Sequence, residues 1–394
     1  MNVLLVIHNQ HGTGPYPKVM ELAEGLSALG TGVTVLCTSR RARWRLATGT
    51  ENGVRVVQAP DLLWGRLRQG VDPWNALRRW AWARREHFDV VHAIDSRPAV
   101  ILPALGLRRQ AGTALIISWW DLFGHGGVSL DRSGRFYAAT GGRVEQHFEE
   151  RFRLRADAAT VISTALECRL REAGFPADRI LLQRLGCDPR RFRPASKEQA
   201  RAELGFTAEG PVLCYVGALA PPDLDLFLQG LERAQALQGG RLTPLLVGGP
   251  EVEPAAAARV GLRLVPRQPL DVVHRYISAS DLCLLPLRES PANGARWPSK
   301  CGDYLNAGRP VVTTPVGDVP ELVRRYGLGF VAPAATPEGL GAAIAVALEA
   351  RSSWDVMGAS GRRFAEQHLD VRVLAGQLLD LYRRALPRAG ETKA

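Results

Sequence analysis

The chain has 394 residues, 46% of them hydrophobic and 23% charged, with a net charge of +11. That length predicts two or three domains, and the composition is that of a soluble globular protein. Six scattered cysteines with no CxxC pair exclude a disulfide framework or a cysteine zinc site, and no apolar run reaches the roughly 18 residues of a membrane span.

The opening residues Asn2–Ile7 read as a strand, not a leader peptide, and with the free thiols they predict a cytoplasmic protein. Short apolar runs predict further strands at Val33–Cys37, Val54–Val57, Val90–Ala93, Ala114–Ile117, Ala159–Ile162 and Ile180–Leu185. Amphipathic stretches such as Pro17–Leu29 and Thr164–Ala173 lie between several of them. Alternating strand and helix predicts βαβ units and a mostly parallel sheet covered on both faces. The turn-rich Leu185–Pro194 reads as a hinge. After a short helix at Lys197–Leu204, strands are predicted at Val212–Val216, Leu242–Val247, Leu262–Val265, Leu282–Leu285, Pro310–Thr313 and Gly329–Val331. The fold class is therefore α/β, with two doubly wound, Rossmann-like domains over 1–188 and 189–365. The last helix, Val371–Leu386 within 366–394, follows the completed second sheet and is expected to pack back on the first domain. Ligands of such sheets bind beyond the carboxyl ends of the strands, so the expected site is a cleft between two facing sheets.

Charge is unevenly spread. Residues 40–87 hold eleven arginines against four acids, with Trp44, Trp64, Trp74, Trp80 and Trp82 among them. Two readings stand side by side: a solvated arginine-rich surface, or a face that docks on an anionic membrane or anionic acceptor. Nucleic-acid binding is disfavoured, because no RRM, zinc-finger or basic-zipper pattern accompanies the charge.

The stretch from Arg296 to Glu321 carries the most chemistry. Ser299 is placed to cap a helix over Lys300–Ala307, which Gly308 ends. A helix start with Lys300 on it and Arg296 beside it suits a diphosphate. Asp303, one turn in, suits a ribose hydroxyl pair. The βα turn after the first strand holds Gly12 and Gly14, a weak phosphate-loop signal that does not meet the GxGxxG fingerprint. With no acid at the end of the second strand, a dehydrogenase is disfavoured. Asp223 and Asp225 form a nominal DxD, but they open an apparent helix where such neighbours diverge; capping is the expected role, and no metal or other cofactor is expected. His92, near a strand end, reads equally as a core histidine or a functional one. Asp121 and His125 follow the strand at Ala114–Ile117, in a segment whose Gly124, Gly126 and Gly127 predict a mobile loop.

The motifs together resemble the family 4 glycosyltransferases, retaining enzymes of the GT-B fold. Pro298, Lys300, Asp303, Tyr304, Leu305, Ala307, Gly308, Arg309, Pro310, Val311 and Val312 keep the register of that family's P-x-K-x-x-E-Y-L-A-A-G-R-P-V-V segment, with Asp303 for its ribose-binding glutamate. Ala156–Ser163 and Leu185–Pro194 resemble its "AD…V…S" strand and "NGVDxxxFxP" hinge, and coverage is nearly the full chain. The pattern departs at Ala218, Pro221 and Ala295, where the family carries two cations and a glutamate.

The resemblance implies transfer of a hexose-like sugar from a nucleoside-diphosphate donor to an acceptor hydroxyl, with retention. Arg296, Ser299, Lys300, Gly12 and Gly14 are then the diphosphate contacts and Asp303 the ribose contact. Asp121, His125 and His92 are the catalytic candidates. The acceptor is expected to be a small molecule or lipid-linked, met at the inner face of the membrane through residues 40–87. Two other classes remain open: a sugar-nucleotide-binding protein that has lost catalysis, and a nucleotide-sugar epimerase.

Overall fold

A computed structural model describes residues 1–63, 70–110, 112–124, 127, 146–190, 192, 196–208, 210–239 and 241–387. It divides into two compact units. The first is Met1–Arg184 with the chain from Val371 onward, and the second is Leu185–Asp370.

The first unit is built on β1 (Asn2–Gln10), β2 (Gly32–Thr38), β3 (Ala47–Glu51), β4 (Val54–Ala59), β5 (Val90–Ile94), β6 (Ala114–Trp119), β7 (Ala158–Val161) and β8 (Ile180–Leu182). Their order is β3-β4-β2-β1-β5-β6-β7-β8. All pair in parallel except β3, which runs antiparallel to β4. Val3 to Ile7 are buried throughout, as a central strand covered on both faces requires. β3 lies outside the predicted strands. Its Ala-Thr-Gly-Thr-Glu sequence has no apolar face, and it is mostly exposed at the sheet edge. Its signal was the Asn52-Gly53 pair, which turns the hairpin with φ of 49° and 81°.

The second unit contains β9 (Val212–Val216), β10 (Thr243–Val247), β11 (Arg263–Val265), β12 (Leu282–Leu285), β13 (Val311–Thr313) and β14 (Gly329–Val331). Their order is β11-β10-β9-β12-β13-β14, all parallel.

The chain changes unit at 184/185 and 370/371, not at 188/189 and 365/366 as expected. The reason is local bonding. Trp297 donates to the Leu185 carbonyl (3.0 Å), Arg362 to that of Pro189 (2.9 Å) and Asn306 to that of Phe192 (3.0 Å). These bonds hold the hinge-like segment to the second unit.

The Val371–Ala385 helix belongs to the first unit. It packs on the Tyr16–Ala28 helix, where a Cβ on Gly25 would stand 3.0 Å from that of Ala375. Leu378, Leu381 and Tyr382 join Val3, Leu5 and Ile7 in one core. The Tyr382 hydroxyl lies 2.6 Å from His92 Nδ1, and Ser118 Oγ lies 2.7 Å from Nε2. Burial holds His92 down at about 3, so it stays neutral. The catalytic expectation for His92 is corrected on this ground: both ring nitrogens are taken by internal hydroxyls and no face meets solvent.

Arg79 revises the picture of an arginine-rich surface. It is fully buried, and burial pulls it down to about 10. It donates to the carbonyls of Ile7 (2.7 Å) and Leu36 (3.3 Å) and to Thr38 Oγ1 (2.8 Å), bracing the carboxyl ends of β1 and β2. Arg79→Met strands these acceptors in the core. It is expected to destabilise the protein by about 3 kcal/mol, read as a lowered urea midpoint at unchanged slope.

Candidate active site

Each sheet has one place where neighbouring crossovers depart in opposite directions. In the first sheet it lies between β1 and β5, and in the second between β9 and β12. Such switch points open a crevice beyond the strand ends. Several of the candidate side chains lie at these two places.

In the second unit, β9 runs into Gly217, whose φ of 92° suits glycine. A Cβ there would sit 3.7 Å from Lys300 Cε, so the backbone lies close to that side chain. Lys300 opens the Lys300–Asn306 helix, and its Nζ donates to Tyr215 Oη at 2.6 Å while lying 4.3 Å from the ring centre. Tyr215 in turn donates to the Ala218 carbonyl at 3.0 Å. Tyr304 Oη accepts the Val216 N–H at 2.9 Å, tying this helix to β9. Burial and the neighbouring Arg296 pull Lys300 down to about 7, against the opposite pull of Asp223 and Asp303. Arg296, Asp223 and Asp303 thus all act electrostatically on Lys300.

Two expectations are corrected here. Ser299 stands at the helix start, but its backbone is already helical and its side chain makes no capping bond. Asp223 does not cap its helix either. It is buried and accepts from the Arg288 N–H (3.0 Å) and Asn293 Nδ2 (2.9 Å), joining the Pro221–Gln238 helix to the loop after β12. Gly308 does end the Lys300–Asn306 helix, with φ of 66°. Asp303 lies 3.9 Å from His274 Nε2, and the His274 ring stacks on Phe192. Of the vacated family positions, Ala218 is exposed and Ala295 is buried.

In the first unit, Gly12 and Gly14 lie beyond β1 with φ of 71° and 57°. Their loop is bordered by His11, whose Nε2 lies 3.0 Å from Glu51, and by Tyr16, which donates to the same carboxylate at 2.7 Å. Thus β3, the unpredicted edge strand, borders the glycine loop. His8 Nδ1 lies 2.6 Å from Asp95 Oδ2 at the switch point itself. Asp121 follows β6 and is half-buried, while His125 lies outside the described residues. Among the described residues, no group of three His, Cys, Asp or Glu side chains is placed to hold a metal ion.

Comparison with known proteins decides the family. The profile of Glycosyltransferase Family 4 matches residues 19–191, and that of the Glycosyl transferases group 1 matches residues 210–350. The chain belongs to the family 4 glycosyltransferases. A D-inositol 3-phosphate glycosyltransferase of Jonesia denitrificans is 24% identical over 380 residues, 89% of this chain and 86% of its own. One from Segniliparus rotundus is 33% identical over 215 residues, 51% of this chain and only 46% of that relative. The fold matches sucrose-phosphate synthase from Thermosynechococcus elongatus with a TM-score of 0.76 at 20% identity, covering 98% of both chains. Anabaena Alr3699/HepE, solved with UDP-glucose, matches with a TM-score of 0.71 at 17% identity over 98% of this chain and all of that one. The fold is GT-B.

Within this glycosyltransferase, sequence reasoning missed Tyr215 and the His8–Asp95 pair. Tyr215 lies inside an apolar strand, and nothing in its neighbours marks it as a lysine partner. His8 and Asp95 meet only because β5 pairs with β1, with partners 87 positions apart in the chain.

Lys300 gives a pH signature. Its folded value of about 7 lies below the ordinary 10.5, so the fold disfavours the charged form. The penalty is complete below pH 7 and fades as pH rises from 7 to 10.5. Lys300→Met is therefore expected to stabilise the protein by about 2–3 kcal/mol below pH 7 and by nothing above pH 10.5, checked by thermal melts across that range. An equal gain at both ends would refute the shifted lysine.

Proposed function

We propose that this glycosyltransferase moves a sugar from a nucleoside-diphosphate donor to an acceptor hydroxyl with retention of configuration. The observation that carries the reading is Lys300, a lysine held under Gly217 at the β9/β12 switch point with Arg296 beside it. A diphosphate relieves the strain of two neighbouring cations and restores the proton that burial takes from Lys300. In the transfer step negative charge grows on the departing diphosphate, and a fixed ammonium and guanidinium stabilise it most at that moment. Ser299, Gly12 and Gly14 supply further polar contacts to the phosphates, and Asp303 takes the ribose with His274 behind it. No metal is needed in this scheme, because the cations are built in. HepE, whose fold this chain shares, binds UDP-glucose, which supports the nucleotide-sugar class.

For the acceptor, several relatives are named for D-inositol 3-phosphate, which supports a small hydroxylated acceptor; a lipid-linked one fits the Arg/Trp region. There Trp44 is 66% exposed and Leu77 51%, while Arg78 lies over Trp74 and Arg84 over Trp80. Apolar side chains flanked by arginines suit peripheral docking on an anionic membrane face. No helix among the described residues is long and apolar enough to cross a membrane. A second reading, donor binding without transfer, is favoured by the uncharged side chains at Ala218 and Ala295.

The test is turnover of a panel of UDP-, GDP- and TDP-sugars with D-inositol 3-phosphate as acceptor probe. Lys300→Ala is expected to lower kcat/KM about 100-fold or more with the melting temperature not lowered. Unchanged turnover refutes the phosphate role. Donor binding with no turnover in the unmutated protein favours the second reading.

A further inference from the structure

The second unit has a cleft of about 550 Å³ at the amino ends of β10 and β11, the end of the sheet away from Gly217 and Lys300. Its walls include Gln235, Arg241, Thr243, Val260, Gly261 and Arg263. β10 separates the two places. Its residues Thr243–Val247 span roughly 13 Å, and the Val247 carbonyl at the far end accepts the Gly217 N–H at 2.8 Å. The volume falls among those of small-molecule sites, about 300–1,000 Å³.

The Pro221–Gln238 and Pro254–Arg259 helices both end at this cleft. Helix ends offer carbonyl oxygens, which favour a cation. Here the local acceptors are taken. The Gln235 carbonyl accepts the Gly239 N–H (3.1 Å), that of Ala257 the Leu262 N–H (2.9 Å) and that of Ala258 the Gly261 N–H (3.1 Å). The Val260 carbonyl accepts from Gln235 Nε2 at 2.9 Å. Each helix end carries about half a negative charge, so the two together do not cancel the guanidinium groups of Arg241 and Arg263. Among the described residues that line the cleft there is no acid and no aromatic ring.

Arg263 is held in place before any ligand arrives. Its Nη1 donates to the Thr207 carbonyl at 2.6 Å, and its guanidinium lies 4.9 Å from the Phe206 ring centre. That bond uses one of five N–H donors. The backbone of Arg241 is fixed as well, because a Cβ on Gly210 would collide with its carbonyl. At Gly261 a Cβ would meet no atom within 4 Å, so the cleft is open there.

We propose that this cleft is a second ligand site, for a soluble phosphomonoester of a sugar or polyol. The phosphate sits on the Arg263 fork with Arg241 beside it, since guanidinium groups match phosphate oxygens in pairs. The cleft exceeds a bare phosphate, so the ligand has a body. With no ring to stack on, a nucleobase finds no partner there, whereas Gln235 and Thr243 suit hydroxyl groups. The inference does not rest on the donor reading of Lys300, which stands at the other end of the strands.

Calorimetric titration of the full chain with glucose 6-phosphate and with inorganic phosphate tests it. Glucose 6-phosphate is expected to bind saturably in the millimolar range or tighter, and more tightly than phosphate. Lys300→Met is expected to keep that affinity. Arg263→Gln and Arg241→Gln are each expected to weaken it about tenfold or more and to leave UDP binding unchanged. Arg241 is exposed, so its variant decides the matter if Arg263→Gln melts early. No saturable binding, equal affinity for phosphate and glucose 6-phosphate, or full affinity in Arg241→Gln overturns the proposal. Loss of binding in Lys300→Met also overturns it, because the ligand then sits in the donor crevice. Failure of UDP to bind the unmutated protein contradicts the donor reading alone.

Discussion

Parallel strands joined by right-handed crossovers leave a crevice where two neighbouring crossovers turn opposite ways, and that constraint sets where this chain's candidate site residues gather. Each sheet has one such point. Backbone N–H and carbonyl groups at the strand ends lack ladder partners there, and side chains just past the strands project over the edge. His8 and Asp95 stand at the β1/β5 point, and Tyr215, Gly217 and Lys300 at the β9/β12 point. The rest of each unit keeps those ends in place. Arg79 braces β1 against β2, Tyr304 ties the Lys300 helix to β9, and Asp223 ties the next helix to the loop after β12.

The two points are charged in opposite senses. The first holds a buried carboxylate kept ionised by His8 and Arg97. The second holds a lysine whose charge is discouraged by burial and by Arg296. A carboxylate suits a hydroxyl donor, and an under-protonated lysine suits an anion that brings its own charge.

Most of the fold was legible in the sequence, because parallel strands buried on both faces read as continuous apolar runs. β9, β12 and β14 fall where those runs lie. β3 was not legible by that rule, since an exposed edge strand needs no apolar face. The Lys300 segment was legible through order and spacing, down to the Gly308 stop. Three things were not. Ser299 has a capping side chain but a helical backbone, which composition cannot reveal. His92 looks like any strand-end histidine until Tyr382, 290 residues later, is found against it. Tyr215 and the His8–Asp95 pair acquire meaning only through which strands are neighbours, and pairing between distant strands is a tertiary fact.

The central claim is that Lys300 meets the donor diphosphate and regains its proton in doing so. Calorimetric titration with UDP at pH 8, in two buffers of different ionisation enthalpy, measures that proton directly. With a free-protein value of about 7, Lys300 is mostly neutral at pH 8. The account predicts uptake approaching one proton per UDP bound, and little or none in Lys300→Arg, whose guanidinium is already charged. Tight UDP binding with no buffer dependence, or the same uptake in the arginine variant, would contradict it.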